Sequence, residues 1–113
     1  METELNALAA AQLQSDRRYA EGYCRSRAGQ GFGPVRIRGE LAHRGVDHGL
    51  IDEILAASGE DWRAHTRAAR RKRFGTQQPQ AFRDRARQTR FLEYRGYEHA
   101  DIRAALESDL DDA

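Results

Sequence analysis

A dense block of basic side chains lies in the second half of this sequence, within "WRAHTRAARRKRFG". Its cations are Arg63, Arg67, Arg70, Arg71, Lys72 and Arg73. On a helix, Arg63, Arg67, Arg70 and Arg71 are predicted to form one stripe, because residues three and four positions apart share a face. Like charges at this spacing repel by about 0.2 to 0.5 kcal/mol per pair unless an anion screens them. The stripe either binds DNA phosphates or acidic protein patches, or it is a solvated helix face.

Two arginines of the first half, Arg36 and Arg38 in "PVRIRGEL", are the second candidates for contact with an anionic partner. No motif assigns a role to any of these cations individually. They are selected by charge alone, as exposed groups that could meet phosphates or carboxylates.

Residue types that perform catalysis are present but not arranged for it. The serines have no histidine and carboxylate at suggestive spacing, and no glycine loop ends in Lys-Ser or Lys-Thr. The glycines of "GQGFG" lack the preceding strand that a dinucleotide motif requires. Cys24 has no partner cysteine, so no zinc site is indicated. The sequence predicts a protein that is not an enzyme, with no metal, cofactor or small-molecule substrate.

Charge is distributed unevenly along the 113 residues, although the net charge is only +1. Residues 60–95 carry 11 basic and 4 acidic groups, whereas residues 96–113 carry 1 basic and 6 acidic groups. Only 39% of residues are hydrophobic and mean hydropathy is -0.88, so each stretch of chain can bury little apolar surface. The lone cysteine and the lack of a long apolar run predict a cytoplasmic protein that does not associate with membranes.

The elements that position these cations are predicted to be helices throughout. Ser15 and Asp16 are expected to cap a helix over 15–28, whose inward side is Tyr19, Ala20, Tyr23 and Cys24. Further helices are predicted from Pro34 to Arg44, after Asp47, from a cap at Ser58, with Asp61 three residues later, to "RFG", from Pro79 to Arg95 and over about 98–108. Gly45 and Gly96 end helices, and Trp62, Phe74, Phe91 and Tyr97 are expected in the core or between units.

The sequence repeats itself at an offset of 51 residues, and the identical pairs fall on a helix end and on the inward face that follows. They are Leu41 and Leu92, Arg44 and Arg95, Gly45 and Gly96, His48 and His99, Ile51 and Ile102, and Leu55 and Leu106. This pattern predicts an all-α fold of tandem three-helix repeats, stacked as a short, elongated, curved solenoid. The predicted units are 15–57 and 58–108. Residues 1–14 are expected to be the remnant or edge of a preceding repeat, and 109–113 an acidic tail.

An ordered series of motifs over about residues 13–107 resembles the RecX family of bacterial regulatory proteins. The series is "DRRYAE", "GFGPVRIRGEL", the "RG" helix end in both units, the tryptophan at the head of the second unit, and "RKRFG". The resemblance implies tandem three-helix repeats, usually three or more, in an elongated curved body. It also implies a partner, the RecA–DNA filament, whose ATPase, strand exchange and coprotease activities such proteins inhibit.

Two other functions are compatible with the same sequence. A small helical DNA-binding module could act directly on nucleic acid, but its candidate recognition helix at 47–57 is acidic, which suits a major groove poorly. The third possibility is a partner-binding repeat protein whose charge has no role.

Overall fold

The computed structural model describes residues 2–107, and within them every regular element is a helix. The six helices are α1 (Glu2–Gly29), α2 (Pro34–His43), α3 (His48–Ala57), α4 (Trp62–Phe74), α5 (Phe82–Arg95) and α6 (His99–Glu107). The molecule is elongated, with extents of 66 × 25 × 19 Å. The prediction of an all-α, tandem-repeat body is confirmed. The acidic tail at 109–113 lies outside the described residues.

The helices pack as two successive trios, each around its own apolar core. The first core is formed by α1, α2 and α3 and is lined by Ala20, Cys24, Ile37, Leu41, Val46, Leu50, Ile51, Ile54 and Leu55. The second is formed by α4, α5 and α6 and is centred on Leu92, Tyr97, Ile102 and Leu106. The half-buried Trp62, at the start of α4, packs against the first core. It therefore joins the two trios, in agreement with its expected place in the core or between units.

Most helix ends follow the predicted signals. Asp47 accepts a hydrogen bond from the Leu50 amide at 3.2 Å. The cap of α4 differs from the prediction, because Asp61 rather than Ser58 accepts from the Ala64 amide, at 3.0 Å. Ser58 instead ends α3, where its hydroxyl donates to the Leu55 carbonyl at 3.0 Å. Gly45 takes a φ of 88°, and the Val46 amide then donates back to the Leu41 carbonyl at 3.1 Å. Such a reversal satisfies carbonyls that the end of a helix would otherwise leave unpaired.

The start of the first helix differs from the prediction. α1 runs unbroken from Glu2 to Gly29, so Ser15 and Asp16 lie inside a helix rather than at its start. The Gln12 side chain donates to Asp16 at 3.0 Å across the expected boundary. The reason is the sequence before it, "ETELNALAAAQLQ", which is rich in strong helix formers and contains neither glycine nor proline.

Two smaller expectations also differ. Tyr19 is 45% exposed rather than inward, because its hydroxyl meets the Arg44 side chain at the surface. Helix α5 begins at Phe82 rather than at Pro79. The residues before it form a loop, where Arg70 binds the Gln77 carbonyl at 2.6 Å and the Gln78 side chain donates to the Glu107 carbonyl at 3.1 Å.

The two trios meet where the start of α2 abuts the end of α5. The Gly33 amide donates to the Arg95 carbonyl at 2.8 Å, and the Val35 amide donates to the Gly96 carbonyl at 2.9 Å. Unpaired amides at one helix start are thus satisfied by unpaired carbonyls at another helix end, and the partial charges of the two ends are opposite. A Cβ on Gly33 would lie 2.4 Å from the Gly96 carbonyl oxygen, so the contact requires glycine.

No helix among residues 2–107 combines the length and the apolar character needed to cross a membrane.

Candidate binding surfaces

In the structure, the cations of the predicted basic stripe lie on different surfaces of α4. Arg63 lies at the surface and forms an ion pair with Asp101 of α6, with 3.2 Å between Nε and Oδ1. Arg67 and Arg71 are half-buried on the same helix. Lys72 and Arg73 are exposed and line a different surface, a cleft between the two trios. The six cations therefore do not form one face.

Arg70 is inside the protein, which corrects the expectation that it belongs to an exposed stripe. Its side chain is 1% exposed, and its Nε donates to the Gln88 side chain at 3.0 Å. A second guanidinium nitrogen, Nη2, donates to the Gln77 carbonyl at 2.6 Å. The physical reason is the neighbouring Thr66, which is small and fully buried, so the space beside α5 is filled by the long arginine. Arg70 ties α4 to α5 and to the loop between them.

Arg36 and Arg38 are engaged with other residues of the protein. Arg36 binds Glu40 at 3.3 Å and donates to the Tyr94 carbonyl of the second trio at 3.2 Å. Arg38 pairs with Asp52 of α3, with 3.2 Å between Nε and Oδ1, and its side chain is 42% exposed. Arg36 thus spans the junction between trios, whereas Arg38 keeps part of its guanidinium open to solvent.

Glu40 is the carboxylate on which the cations of the junction converge. It accepts from Arg27 at 2.8 and 3.0 Å and from the Tyr23 hydroxyl at 3.0 Å, besides its contact with Arg36. Partial burial raises the pKa of Glu40, but the hydrogen bonds from Arg27, Tyr23 and Arg36 outweigh it, so that pKa lies below its ordinary value. Glu40 therefore remains ionised and holds α1 to α2.

The cleft between the trios has a volume of about 380 Å³. The end of α1 and the loop after it form one wall, and α4, α5 and the residue after Gly96 form the other. Its apolar lining is Ala28, Ala68, Ala69, Phe91 and Tyr97, and its basic lining is His65, Lys72, Arg73 and Arg95. Three other concavities of the described residues include at least one carboxylate each, but this cleft includes none.

Aromatic rings hold the cleft arginines in place. The Arg95 guanidinium carbon lies 4.7 Å from the centroid of the Phe32 ring and 5.2 Å from that of the Phe91 ring. That of Arg73 lies 5.9 Å from the same Phe91 centroid. Stacking on an aromatic face restrains a guanidinium plane while leaving N–H groups available to an anion.

Two family models match the chain, and they match it in tandem. The model described as RecX, second three-helix domain, matches residues 15–55, and the model described as RecX, third three-helix domain, matches residues 61–106. Together they cover most of the sequence. The chain belongs to the RecX family. Each matched range contains the later part or the whole of one helical trio, so the RecX domains and the observed packing describe the same repeat.

Curated relatives agree with this assignment, and the three described below are named Regulatory protein RecX. The Pseudomonas putida relative is 44% identical over 113 residues, which are 99% of this chain and 72% of the relative. The Pseudomonas entomophila relative is 46% identical over 97 residues, 86% of this chain and 63% of the relative. The Halorhodospira halophila relative is 46% identical over 101 residues, 89% of this chain and 63% of the relative. The chain thus spans 63% to 72% of these RecX proteins.

Sequence reasoning does not select Arg95 or His65 of the RecX cleft. Arg95 stands out only as the repeat of Arg44 before the helix-ending glycine, and that recurrence is the available signal. His65 pairs with Glu60, with 2.6 Å between Nε2 and Oε2, which no motif indicates. Both residues reach the cleft because the two trios stack, which is a tertiary feature.

Tyr97 forms part of the cleft floor and carries an unsatisfied hydroxyl. The residue is 3% exposed, and its hydroxyl oxygen is buried with no hydrogen-bond partner among the residues that the structure describes. Burial raises the pKa of the Tyr97 phenol to about 12, although the nearby Arg95 acts in the opposite direction. The ordinary pKa is 10.0, so folding disfavours the ionised phenolate.

Substitution Tyr97→Phe is expected to stabilise the protein at neutral pH by up to about 1 kcal/mol, because an unsatisfied buried hydroxyl is removed. In the parent protein, the unfolded phenol ionises as pH rises past 10 while the folded one stays protonated until about 12. Tyr97 therefore contributes a loss of stability across this window, by up to about 1.4 kcal/mol per pH unit, and Tyr97→Phe removes that contribution. Urea unfolding between neutral and strongly alkaline pH measures both effects. The control is Tyr94→Phe at a 71% exposed position, and an equal response of both variants would contradict the assignment.

Proposed function

We propose that this RecX-family chain binds the RecA nucleoprotein filament and inhibits its ATPase, strand-exchange and coprotease activities, without catalysing a reaction. The observation that carries the proposal is the tandem match to the second and third RecX domains over residues 15–55 and 61–106. The relatives at 44% to 46% identity are named regulatory proteins, which supports a regulatory role. RecA acts in the cytoplasm, and we place this chain there with it.

The proposed mechanism is steric and competitive. A body with extents of 66 × 25 × 19 Å is long and narrow enough to lie along a groove and to bridge neighbouring filament protomers. In that position it blocks the path of a second DNA strand or of a repressor substrate. Such a mechanism needs an extended charged surface and no reactive group.

The proposed contacts are the exposed or half-exposed cations, namely Arg63, Arg67, Arg71, Lys72 and Arg73, with Arg38 second. They are directed at acidic patches of RecA or at DNA phosphates within the filament. Arg70 and Arg36 are proposed to act indirectly. Arg70 is buried and holds α4 in place, and Arg36 holds the two trios together.

The test is DNA-dependent ATP hydrolysis by RecA with and without the protein, together with binding to bare single- and double-stranded DNA over a salt series. Inhibition of hydrolysis with weak binding to bare DNA supports the proposal. Tight, steeply salt-dependent DNA binding with no effect on hydrolysis would overturn it in favour of a DNA-binding module. No effect on hydrolysis and no binding would leave a repeat protein with another partner, which also overturns it.

The double variant Arg63→Gln/Arg67→Gln is expected to raise the concentration needed for half-inhibition about tenfold, which corresponds to about 1.4 kcal/mol of binding free energy. The matched control is Arg18→Gln, which removes one exposed cation from α1 outside the proposed contacts. If the double variant inhibits as well as the control at equal folded fraction, the α4 arginines are not contacts.

A further inference from the structure

The arginines of this chain differ in whether a carboxylate already neutralises them. At least six form ion pairs with described residues: Arg17 with Glu53, Arg27 and Arg36 with Glu40, Arg38 with Asp52, Arg63 with Asp101, and Arg85 with Glu107. A cation bound to a carboxylate must give up that contact before it can neutralise a phosphate. The gain from releasing salt ions is therefore largest for cations without such a partner.

Lys72, Arg73 and Arg95 are without such a partner and lie on one cavity. None of the three forms an ion pair with any residue in the range 2–107, where the contacts of Arg73 and Arg95 are with aromatic rings. All three line the cleft between the trios, although Arg95 comes from the end of α5 and the other two from α4. Tertiary packing thus gathers three unneutralised cations from two helices.

The cleft concentrates their field. Its lining includes no aspartate or glutamate, whereas the neighbouring concavities contain Glu21, Glu40, or Asp52 with Glu98. A concave surface lined by charge of one sign, with apolar walls of low dielectric, focuses the potential and attracts the opposite charge. The occupant that this electrostatics favours is an anion with several charges.

The floor of the cleft adds a second requirement. It is formed by alanines and by Phe91 and Tyr97, and its volume of about 380 Å³ lies in the range of small-ligand pockets, about 300 to 1,000 Å³. An occupant that fills it must combine charge with apolar surface. A nucleotide of an unpaired strand has both, since its phosphate is anionic and its sugar and base present apolar faces. A duplex keeps its bases stacked inside, so it could offer only phosphates to the rim.

We infer that the cleft between the trios binds a segment of single-stranded nucleic acid, with Lys72, Arg73 and Arg95 on its phosphates and the Ala68, Ala69 and Phe91 surface against a sugar or base. The inference rests on the proposed function and refines it, because it assigns these three cations to the DNA of the filament. Arg63 and Arg67 lie on the other flank of α4, and they are then the residues proposed to contact the RecA protein of the filament.

The experiment measures binding of the full chain to a fluorescent thymidine oligonucleotide of about 30 residues by anisotropy, over a salt series that begins at low ionic strength. For single strands, each phosphate contact contributes about 0.7 to the slope of log K against log salt concentration. The variant Lys72→Gln/Arg73→Gln is expected to lower the slope by about 1.4, and adding Arg95→Gln by about 2.1 in total.

Two matched controls come from α1. Arg17→Gln removes a cation that is paired with Glu53, and Arg18→Gln removes one that lies outside the cleft, so both are expected to leave the slope within error. Both residues changed in Lys72→Gln/Arg73→Gln are exposed, so this double variant is expected to fold like the parent protein. Circular dichroism establishes that each variant is equally helical.

Three further probes decide the occupant. A base-free strand of the same length is expected to bind more weakly than the thymidine strand, and a duplex is expected to lose less affinity in the double variant. Equal binding of the base-free strand, an equal loss for the duplex, or equal competition by poly-glutamate would each overturn the inference. So would an unchanged slope in the double variant, or no binding at low salt. Inhibition of ATP hydrolysis by RecA is measured in a separate assay. If the cleft does not bind single strands, the oligonucleotide assay fails while inhibition can remain; if the proposed function is wrong, inhibition itself is absent.

Discussion

Alanine at position 96 is expected to cost the protein about 3 kcal/mol or more of stability and to separate the two trios. Gly96 has a φ of 95°, where a residue with a Cβ is strained by roughly 1 to 2 kcal/mol. In addition, a Cβ there would collide with the Cβ and the backbone of Arg36, and overpacking of this kind typically costs about 1 to 3 kcal/mol. Both effects fall on the contact between the start of α2 and the end of α5.

Two other glycines separate these effects. Gly45 occupies the same place in the first trio, with a φ of 88°, but no atom lies within 4 Å of an added Cβ, so Gly45→Ala measures the backbone strain alone. Gly33 has an extended backbone, with φ of -97° and ψ of 173°, but its Cβ would meet the Gly96 carbonyl at 2.4 Å. Gly33→Ala therefore measures the collision alone.

Urea unfolding of the three variants gives their free energies, and small-angle scattering gives the length of each folded variant. We expect Gly96→Ala to be the least stable, and Gly33→Ala to change the scattering profile while Gly45→Ala does not. Equal destabilisation by Gly45→Ala and Gly96→Ala would show that the junction contact contributes little. An unchanged profile for Gly33→Ala would show that the two trios keep their arrangement without it.

Removal of the Arg70 side chain by Arg70→Ala is expected to destabilise the protein by about 3 to 5 kcal/mol. The substitution creates a cavity beside Thr66 and leaves the Gln88 side chain and the Gln77 carbonyl without the donors that satisfy them. Truncation of a large buried side chain typically costs about 2 to 5 kcal/mol, and an unsatisfied buried polar group adds about 1 to 3 kcal/mol. The control is Lys72→Ala, an exposed position on the same helix, which is expected to change stability by less than about 0.5 kcal/mol.

A compensating pair tests whether the effect is structural. Replacing both groups, as in Arg70→Met/Gln88→Leu, removes the buried polar atoms together and is expected to recover much of the stability lost in Arg70→Ala. Denaturant unfolding measures all three variants, and RecA inhibition is assayed at equal folded fraction. If Arg70→Ala were as stable as the parent but failed to inhibit, Arg70 would be a direct contact, as helical spacing on α4 suggests.

The repeat and its helix ends were accessible from the sequence because they depend on local chemistry. Gly45 and Gly96 reverse the chain, Asp47 caps a helix, and the apolar residues between them recur at helical spacing. Each of these signals acts within one or two helical turns. The wrong prediction of a helix start at Ser15 has a local cause as well. Serine is a good capping residue, but the strong helix formers before Ser15 continue the helix through it.

The sequence alone could not show that the cations of the basic block lie on different surfaces of the protein. Helical spacing places Arg63, Arg67, Arg70 and Arg71 on neighbouring positions, but it does not say which flank of the helix a neighbour covers. Packing against α5 buries Arg70, pairing with α6 engages Arg63, and the stacking of trios directs Lys72 and Arg73 into the cleft.

The sequence by itself determined that this is an all-helical protein built from a repeated three-helix unit, and its ordered motifs indicated the RecX family. Helix ends, caps and apolar faces are short-range features, so the order of residues is enough to specify them. Only the tertiary structure decided which cations are buried, paired or unpaired, and that Arg95 joins Lys72 and Arg73 around one cavity. Burial and ion pairing depend on which surfaces meet, and the contact that joins the two trios lies between Gly33 and Gly96, residues 63 positions apart.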